Sequence, residues 1–113
     1  MALALNNYRT VVSVASTSPV GIYTAPTGYN SVVLCAQASN LSDGSQDVSL
    51  AHRRTVVGIA ITTYSAYKKP IASHDIIELS TGKIVLVPGD TFVLSASIDN
   101  NIHIIVSILE TLI

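Results

Sequence analysis

Ionic side chains are scarce in this 113-residue chain: Asp and Glu together number 7, Lys and Arg 6, or 12% of the total. A soluble domain of ordinary composition carries about 25%. The formal net charge is −1, so no strong field of either sign draws the chain to nucleic acid or to an anionic membrane. Cysteine occurs once, at Cys35, which excludes an internal disulfide framework. The apolar neighbours Val32, Val33, Leu34 and Ala36 predict that this thiol is a small buried hydrophobe. Tryptophan is absent. Long apolar runs are absent too. The most apolar stretch, Ile102 to Ile113, is interrupted by His103, Ser107 and Glu110 and is too short to span a bilayer as a helix. Met1 to Asn7 has no basic segment and too short an apolar one for a signal peptide.

What is present is neutral and aliphatic, with 49% of residues hydrophobic. A folded domain of this mass exposes on the order of 6,000 Å². So few charges leave much of that surface to Ser, Thr, Asn, Ala and aliphatic groups. Such a surface suits a subunit packed among others better than a free monomer. The length predicts one domain over residues 1–113. Met1, Leu3 and Leu5 alternate with Ala2 and Ala4, which makes residues 1–8 either a candidate N-terminal arm able to add as a strand to a neighbour or an ordinary first strand within its own sheet.

Alternation of apolar and polar residues predicts an all-β chain. Ser31 to Ala38 places Val32, Leu34, Ala36 and Ala38 on one side. A turn containing Asn40 and Asp43-Gly44 follows, then strands over Gln46 to Arg54 and Thr55 to Tyr64. Ala66 to Asp75, with Lys68-Lys69 and Pro70, reads as an edge segment or loop. Ile76–Leu79 and Ile84–Val87 flank a turn, and Pro88-Gly89 suits a type II turn. Phe92, Leu94, Ala96 and Ile98 share one face, as do Ile102, Ile104, Val106 and Ile108 after the turn Asp99 to Asn101, predicting a C-terminal hairpin. The last strand is apolar on both faces, which predicts a strand that is central or covered on both sides. Eight or nine short strands at this spacing predict an antiparallel β-sandwich of jelly-roll type.

Chemistry-bearing patterns are weak. His52, His74 and His103 share no metal-ligand spacing. Ser73-His74-Asp75 contains the residue types of a catalytic triad, but adjacent residues point in different directions and form no relay. Most of the acids fall in or beside predicted turns, and no nucleotide-binding glycine motif occurs. Arg53-Arg54 is the densest basic spot. Successive strand residues face opposite ways, so one of the two is expected to point toward an interface or the sandwich edge, either as a solvated strand end or toward a neighbouring subunit's Asp or Glu. Tyr29, Tyr64 and Tyr67 flank loop-like segments and are candidate ligand platforms.

The order Gly21-Ile22-Tyr23-Thr24-Ala25-Pro26-Thr27-Gly28, followed by the strand Ser31 to Ala38, resembles a family of small structural proteins of tailed bacteriophages. The likeness continues through Pro70-Ile71, the strand Asp75 to Leu79, the stretch Gly82 to Asp90 and the ending Ser107 to Glu110. It covers most of the chain and implies a virion component. It brings no catalytic residues with it.

The expectation is therefore a non-enzymatic virion protein in a single-domain, antiparallel β-sandwich, with no catalytic residue, metal or cofactor. Capsid decoration, cementing neighbouring capsid subunits, is the favoured role. A tail, neck or fibre component is the alternative, and a host-surface carbohydrate-binding module is the alternative from another class. The expected partners are the major capsid protein first, tail or neck proteins otherwise, and copies of the chain itself. Nucleic acid and membrane are not expected. The candidate interface residues are Ala2, Leu3 and Leu5 in the arm, Arg53, and Leu109, Leu112 and Ile113 at the other end of the chain.

Overall fold

A computed structural model describes residues 5–80 and 82–113. Among them run nine strands: β1 (Asn6–Val14), β2 (Val20–Thr24), β3 (Tyr29–Asn40), β4 (Gln46–Val56), β5 (Ile59–Ile71), β6 (Ile76–Glu78), β7 (Ile84–Leu86), β8 (Thr91–Ala96) and β9 (Ile102–Leu112). They form two antiparallel sheets. Sheet A has the order β1-β9-β3-β6, with β7 on the same flank of β3, and sheet B has the order β2-β8-β4-β5.

The pairing is nested. β1 pairs with β9, β2 with β8, β3 with β6 and β7, and β4 with β5. The chain is thus one long hairpin whose tip is the β4–β5 turn. It is rolled up so that β9 also joins β3 and β8 also joins β4. This winding is that of a jelly roll. The inward faces meet in a continuous core that includes Phe92, Leu50, Leu94, Ile104, Val106 and Ile108. Each such side chain contributes about 1.5–3 kcal/mol by leaving water.

Two turns show how local chemistry shapes the roll. At Pro88-Gly89, Gly89 has φ +90° and the Asp90 N–H donates to the Val87 carbonyl at 3.0 Å. A type II turn requires that positive φ, and glycine supplies it without strain. After β3, buried Asn40 donates to the carbonyls of Gly44 (2.9 Å) and Ile71 (3.0 Å) and accepts from the Ser42 N–H (2.9 Å). Its side chain holds the predicted turn in place of backbone partners.

Two expectations change. In β3, Val33 is buried, Leu34 and Cys35 face outward, and Ala36 and Ala38 are buried again. A register shift against β9 between Val33 and Cys35 marks a β-bulge. An extra residue there slips the alternation by one, so Cys35 is exposed, not buried. The segments around β8 and β9 do not form a hairpin. β8 lies in sheet B and β9 in sheet A, and residues 97–101 carry the chain across the core. The inward faces predicted for both are nonetheless the buried ones. The segment from Ala66 is an edge segment, as expected, continuing as strand to Ile71 at the edge of sheet B. β9 is central, as expected, and Ile105 on its outer side is 49% exposed, so nothing among the described residues covers that face. Of the candidate arm, Asn6, Asn7 and Tyr8 pair with Thr111, Glu110 and Leu109 of β9.

Candidate assembly surface

One end of the sandwich gathers several segments. The Leu112 N–H donates to the Leu5 carbonyl at 2.8 Å, the Ile113 N–H to Gly28 at 2.9 Å, and the Ala25 N–H to Asp90 at 2.9 Å. The β4–β5 hairpin overhangs the same end. β4 pairs with β8 only as far as Arg53, opposite Thr91, while its pairing with β5 continues to Val56 opposite Ile59.

Two buried carboxylates lie here, and each draws in a cation. Asp90 accepts from Arg54 Nε at 3.0 Å and Nη2 at 2.6 Å, from His52 Nε2 at 2.8 Å, and from the Val87 N–H at 3.0 Å. Burial alone pushes this carboxyl up, but those bonds outweigh it and hold its pKa down at about 2. Arg54 thereby ties the overhanging hairpin to the 87–90 turn. Glu110, on β9, accepts from Tyr23 Oη at 2.5 Å and Arg9 Nε at 2.8 Å, and Tyr23 also meets Ser31 Oγ at 2.8 Å. Tyr23 is on sheet B and Glu110 on sheet A, so the bond clamps the two layers. Burial also opposes ionisation of Glu110, yet the bonds from Tyr23 and Arg9 keep its carboxyl below the usual range. Burial and the bond to this carboxylate push the Tyr23 phenol up to about 12. These clusters are internal bracing. They also take Arg9, Arg54, Asp90 and Glu110 out of the small pool of charges.

The outside of sheet A is accordingly dry. Its outward positions are Tyr8, Thr10, Val12 and Val14 on β1, His103, Ile105, Ser107 and Leu109 on β9, and Val32, Cys35, Gln37 and Ser39 on β3. None is Asp, Glu, Lys or Arg. Tyr8 is 78% exposed and Val12 69%. A second apolar surface is the tip of the overhanging hairpin. Val57 is 95% exposed, with Val56, Ile59 and Ile61 also exposed beside it. Val57 has φ +51° and Gly58 φ +77°. A two-residue hairpin turn of this kind favours Asn-Gly, and a β-branched residue there is strained.

The predicted residues fall as follows. Ala2 and Leu3 lie outside the described residues. Leu5 and Ile113 are each exposed at the shared end. Leu109 is half-buried on the outer face of sheet A, and Leu112 is half-buried opposite Tyr29. Arg53 points outward from sheet B, as one of the basic pair was expected to, and forms no ion pair among the described residues. Tyr29 is turned inward and buried, so it is not an exposed ligand platform. Tyr64 and Tyr67 are exposed and pack edge-to-face at 4.7 Å, with Lys68 Nζ 5.4 Å from the Tyr67 ring. Sequence reasoning missed Tyr8, Val12 and Ile105 on the dry face and Val57 at the tip. The signal for Ile105 was apolar residues in both phases of β9, and for Val12 the valines in both phases of β1. For the tip it was a glycine between two β-branched runs.

Among the described residues, no group of three or more His, Cys, Asp and Glu is placed to hold a metal ion. No family model matches the chain, and no curated protein does. Solved structures do share its fold. A chain of the IBDV viral particle superposes with a TM-score of 0.58 at 10% identity, over 96% of this chain and 31% of that one. A chain from Bacillus endospore appendages, described as disulfide-linked pili, superposes with a TM-score of 0.52 at 13% identity, over 100% of this chain and 97% of that one. The chain therefore spans under a third of the viral-particle chain and nearly all of the pilus chain. At these identities the likeness is one of fold.

Proposed function

We propose that this chain is a non-enzymatic assembly subunit of a bacteriophage virion, and that it decorates the capsid by bridging neighbouring subunits. One observation carries the reading: its apolar groups are displayed on the outside, on two separate surfaces, while four of its charged side chains pair with one another, two of them as buried carboxylates. A bridging protein needs two such surfaces, because joining weak contacts through one rigid body multiplies their effect. The jelly-roll fold shared with a viral-particle chain and a pilus chain supports a structural role. The resemblance of the GIYTAPTG segment and the Gly82 to Asp90 stretch to small tailed-phage proteins favours the virion. Attachment at the tail, neck or fibre is the alternative placement.

The test is particle association. Virions purified through a density gradient should carry the chain at hundreds of copies per genome if it decorates the capsid, and at a few dozen or fewer if it belongs to the tail or neck. Recovery of the chain solely outside the particle peak overturns the reading. The exposed Tyr64–Tyr67 pair favours a second reading, a host-surface carbohydrate-binding module. That reading requires glycan binding by the purified chain that Tyr67→Ala abolishes.

A further inference from the structure

Resting on the assembly reading, we propose that the outer face of sheet A docks a second copy of this chain, the two faces packing back to back about a two-fold axis. In such an arrangement the same patch meets itself, so any net charge on it would repel its own copy. The outward positions of β1, β9 and β3 carry no Asp, Glu, Lys or Arg, and this is the condition self-pairing needs. Apolar and neutral groups alternate across the patch, with Tyr8, Val12 and Ile105 exposed and Leu109 and Val32 half-buried between them. Depletion of charge at the centre is the compositional mark of interface cores.

The area is adequate. β9 has 11 residues, and sheet A is four strands across because β6 and β7 share one flank of β3. At about 3.3 Å per residue and 4.8 Å per strand, the face measures about 36 by 19 Å. The uncharged strands β1, β9 and β3 alone account for about 500 Å² of this; with the flanking β6/β7 strand, where Glu78 faces outward beside Gln37, the face reaches about 700 Å² per copy and about 1,400 Å² in total, within the range of about 1,200–2,000 Å² for stable specific interfaces. The charged groups flanking the patch, Glu78 on β6 and Lys83 before β7, have opposite signs and suit the polar rim of such a contact.

Cys35 reports on the contact because it is exposed on this face in the single subunit. The experiment combines sedimentation equilibrium of the purified chain with alkylation of Cys35 by N-ethylmaleimide across a concentration series. The expected result is twice the chain mass at high concentration, with Cys35 protected in step with dimer formation. Ile105→Lys, and independently Val12→Lys, should raise the dissociation constant by about 100-fold or more, by forcing an unpaired charge into the contact. Both should melt at the temperature of the wild-type monomer and react freely at Cys35. A single-chain mass at every concentration overturns the proposal. So does a dimer whose Cys35 reacts as fast as in the denatured chain, since another face is then in use. The wild-type protection needs no variant to fold. A protected dimer that never bands with particles would sink the virion role and leave this face standing. Particle binding by a monomer with reactive Cys35 does the reverse.

Discussion

The two outer faces of the sandwich are built on the same strand geometry and end up with opposite character. Sheet B presents Asp47, Ser49, Arg53 and Ser95 at outward positions. Over it lies a groove of about 330 Å³ lined by Thr17, Asp47, Ser49, Lys68, Ser95, Ala96 and Ser97. Sheet A presents valine, isoleucine, tyrosine and leucine, with no Asp, Glu, Lys or Arg at the outward positions of its three longest strands. An antiparallel sheet with one solvated face normally alternates apolar inside and polar outside. Sheet B keeps that rule in part, and sheet A breaks it. The scarcity of charge is therefore not spread evenly. It is concentrated on one face and one hairpin tip, which gives the subunit a wet side and a dry side and hence a direction for packing.

The largest expected effect tests whether inside and outside of sheet A differ as described. Ile104 is 1% exposed and its neighbour Ile105 is 49% exposed. Ile104→Ala should cost about 2–5 kcal/mol in urea unfolding, as buried truncations do. Ile105→Ala should change monomer stability by no more than about 0.5 kcal/mol. Equal losses at the two positions would erase the contrast.

Acid offers the next test, because the two carboxylates lie between the sheets and not on either outer face. Asp90 has its folded pKa held at about 2, below its unfolded value. A depressed pKa contributes stability that is complete above the unfolded value and disappears as pH falls through the folded one. About 2 kcal/mol should therefore be lost between about pH 4 and pH 2. Glu110, also lowered, should add a loss of the same sign. Asp90→Asn should flatten part of this slope in acid titrations followed by circular dichroism, and an unchanged slope would contradict the bracing role. Tyr23, raised to about 12, predicts the opposite limb, with stability lost as pH climbs from about 10 through 12.

A smaller effect is expected at the hairpin tip. Val57→Asn should raise stability by about 0.5–1 kcal/mol, since asparagine accepts the φ of +51° that valine resists. The same change should weaken particle attachment, because it replaces the most exposed apolar side chain of the tip. A stability gain with attachment intact would make the valine incidental. The smallest effect belongs to the wet face. Arg53→Ala should leave monomer melting within about 0.5 kcal/mol, as an exposed group without an ion pair predicts. Its expected consequence is weaker assembly with a partner carboxylate, read by co-sedimentation with particles.

The sequence pattern carried further for the inside than for the outside. Alternation along Phe92–Leu94 and Ile102–Ile108 identified inward residues that are all buried. Pro88-Gly89 identified its turn, and Asn40 marked another. The Arg53-Arg54 pair pointed to one outward and one inward guanidinium, but only the folded chain shows that Arg54 is the one bound to Asp90, 36 residues away. The Glu110–Tyr23 clamp joins residues 87 apart and had no local signal.

From its own order of residues, this chain determines that it is all-β, roughly where it turns, and which phase of most strands is apolar. These are local properties with a period of two, and they hold whichever strands become neighbours. The tertiary structure alone decided that β8 and β9 part into different sheets, that a bulge turns Cys35 outward, and that the uncharged positions of β1, β9 and β3 line up as one face. Strand pairing depends on partners far apart in sequence, and a single inserted residue reverses every side chain beyond it.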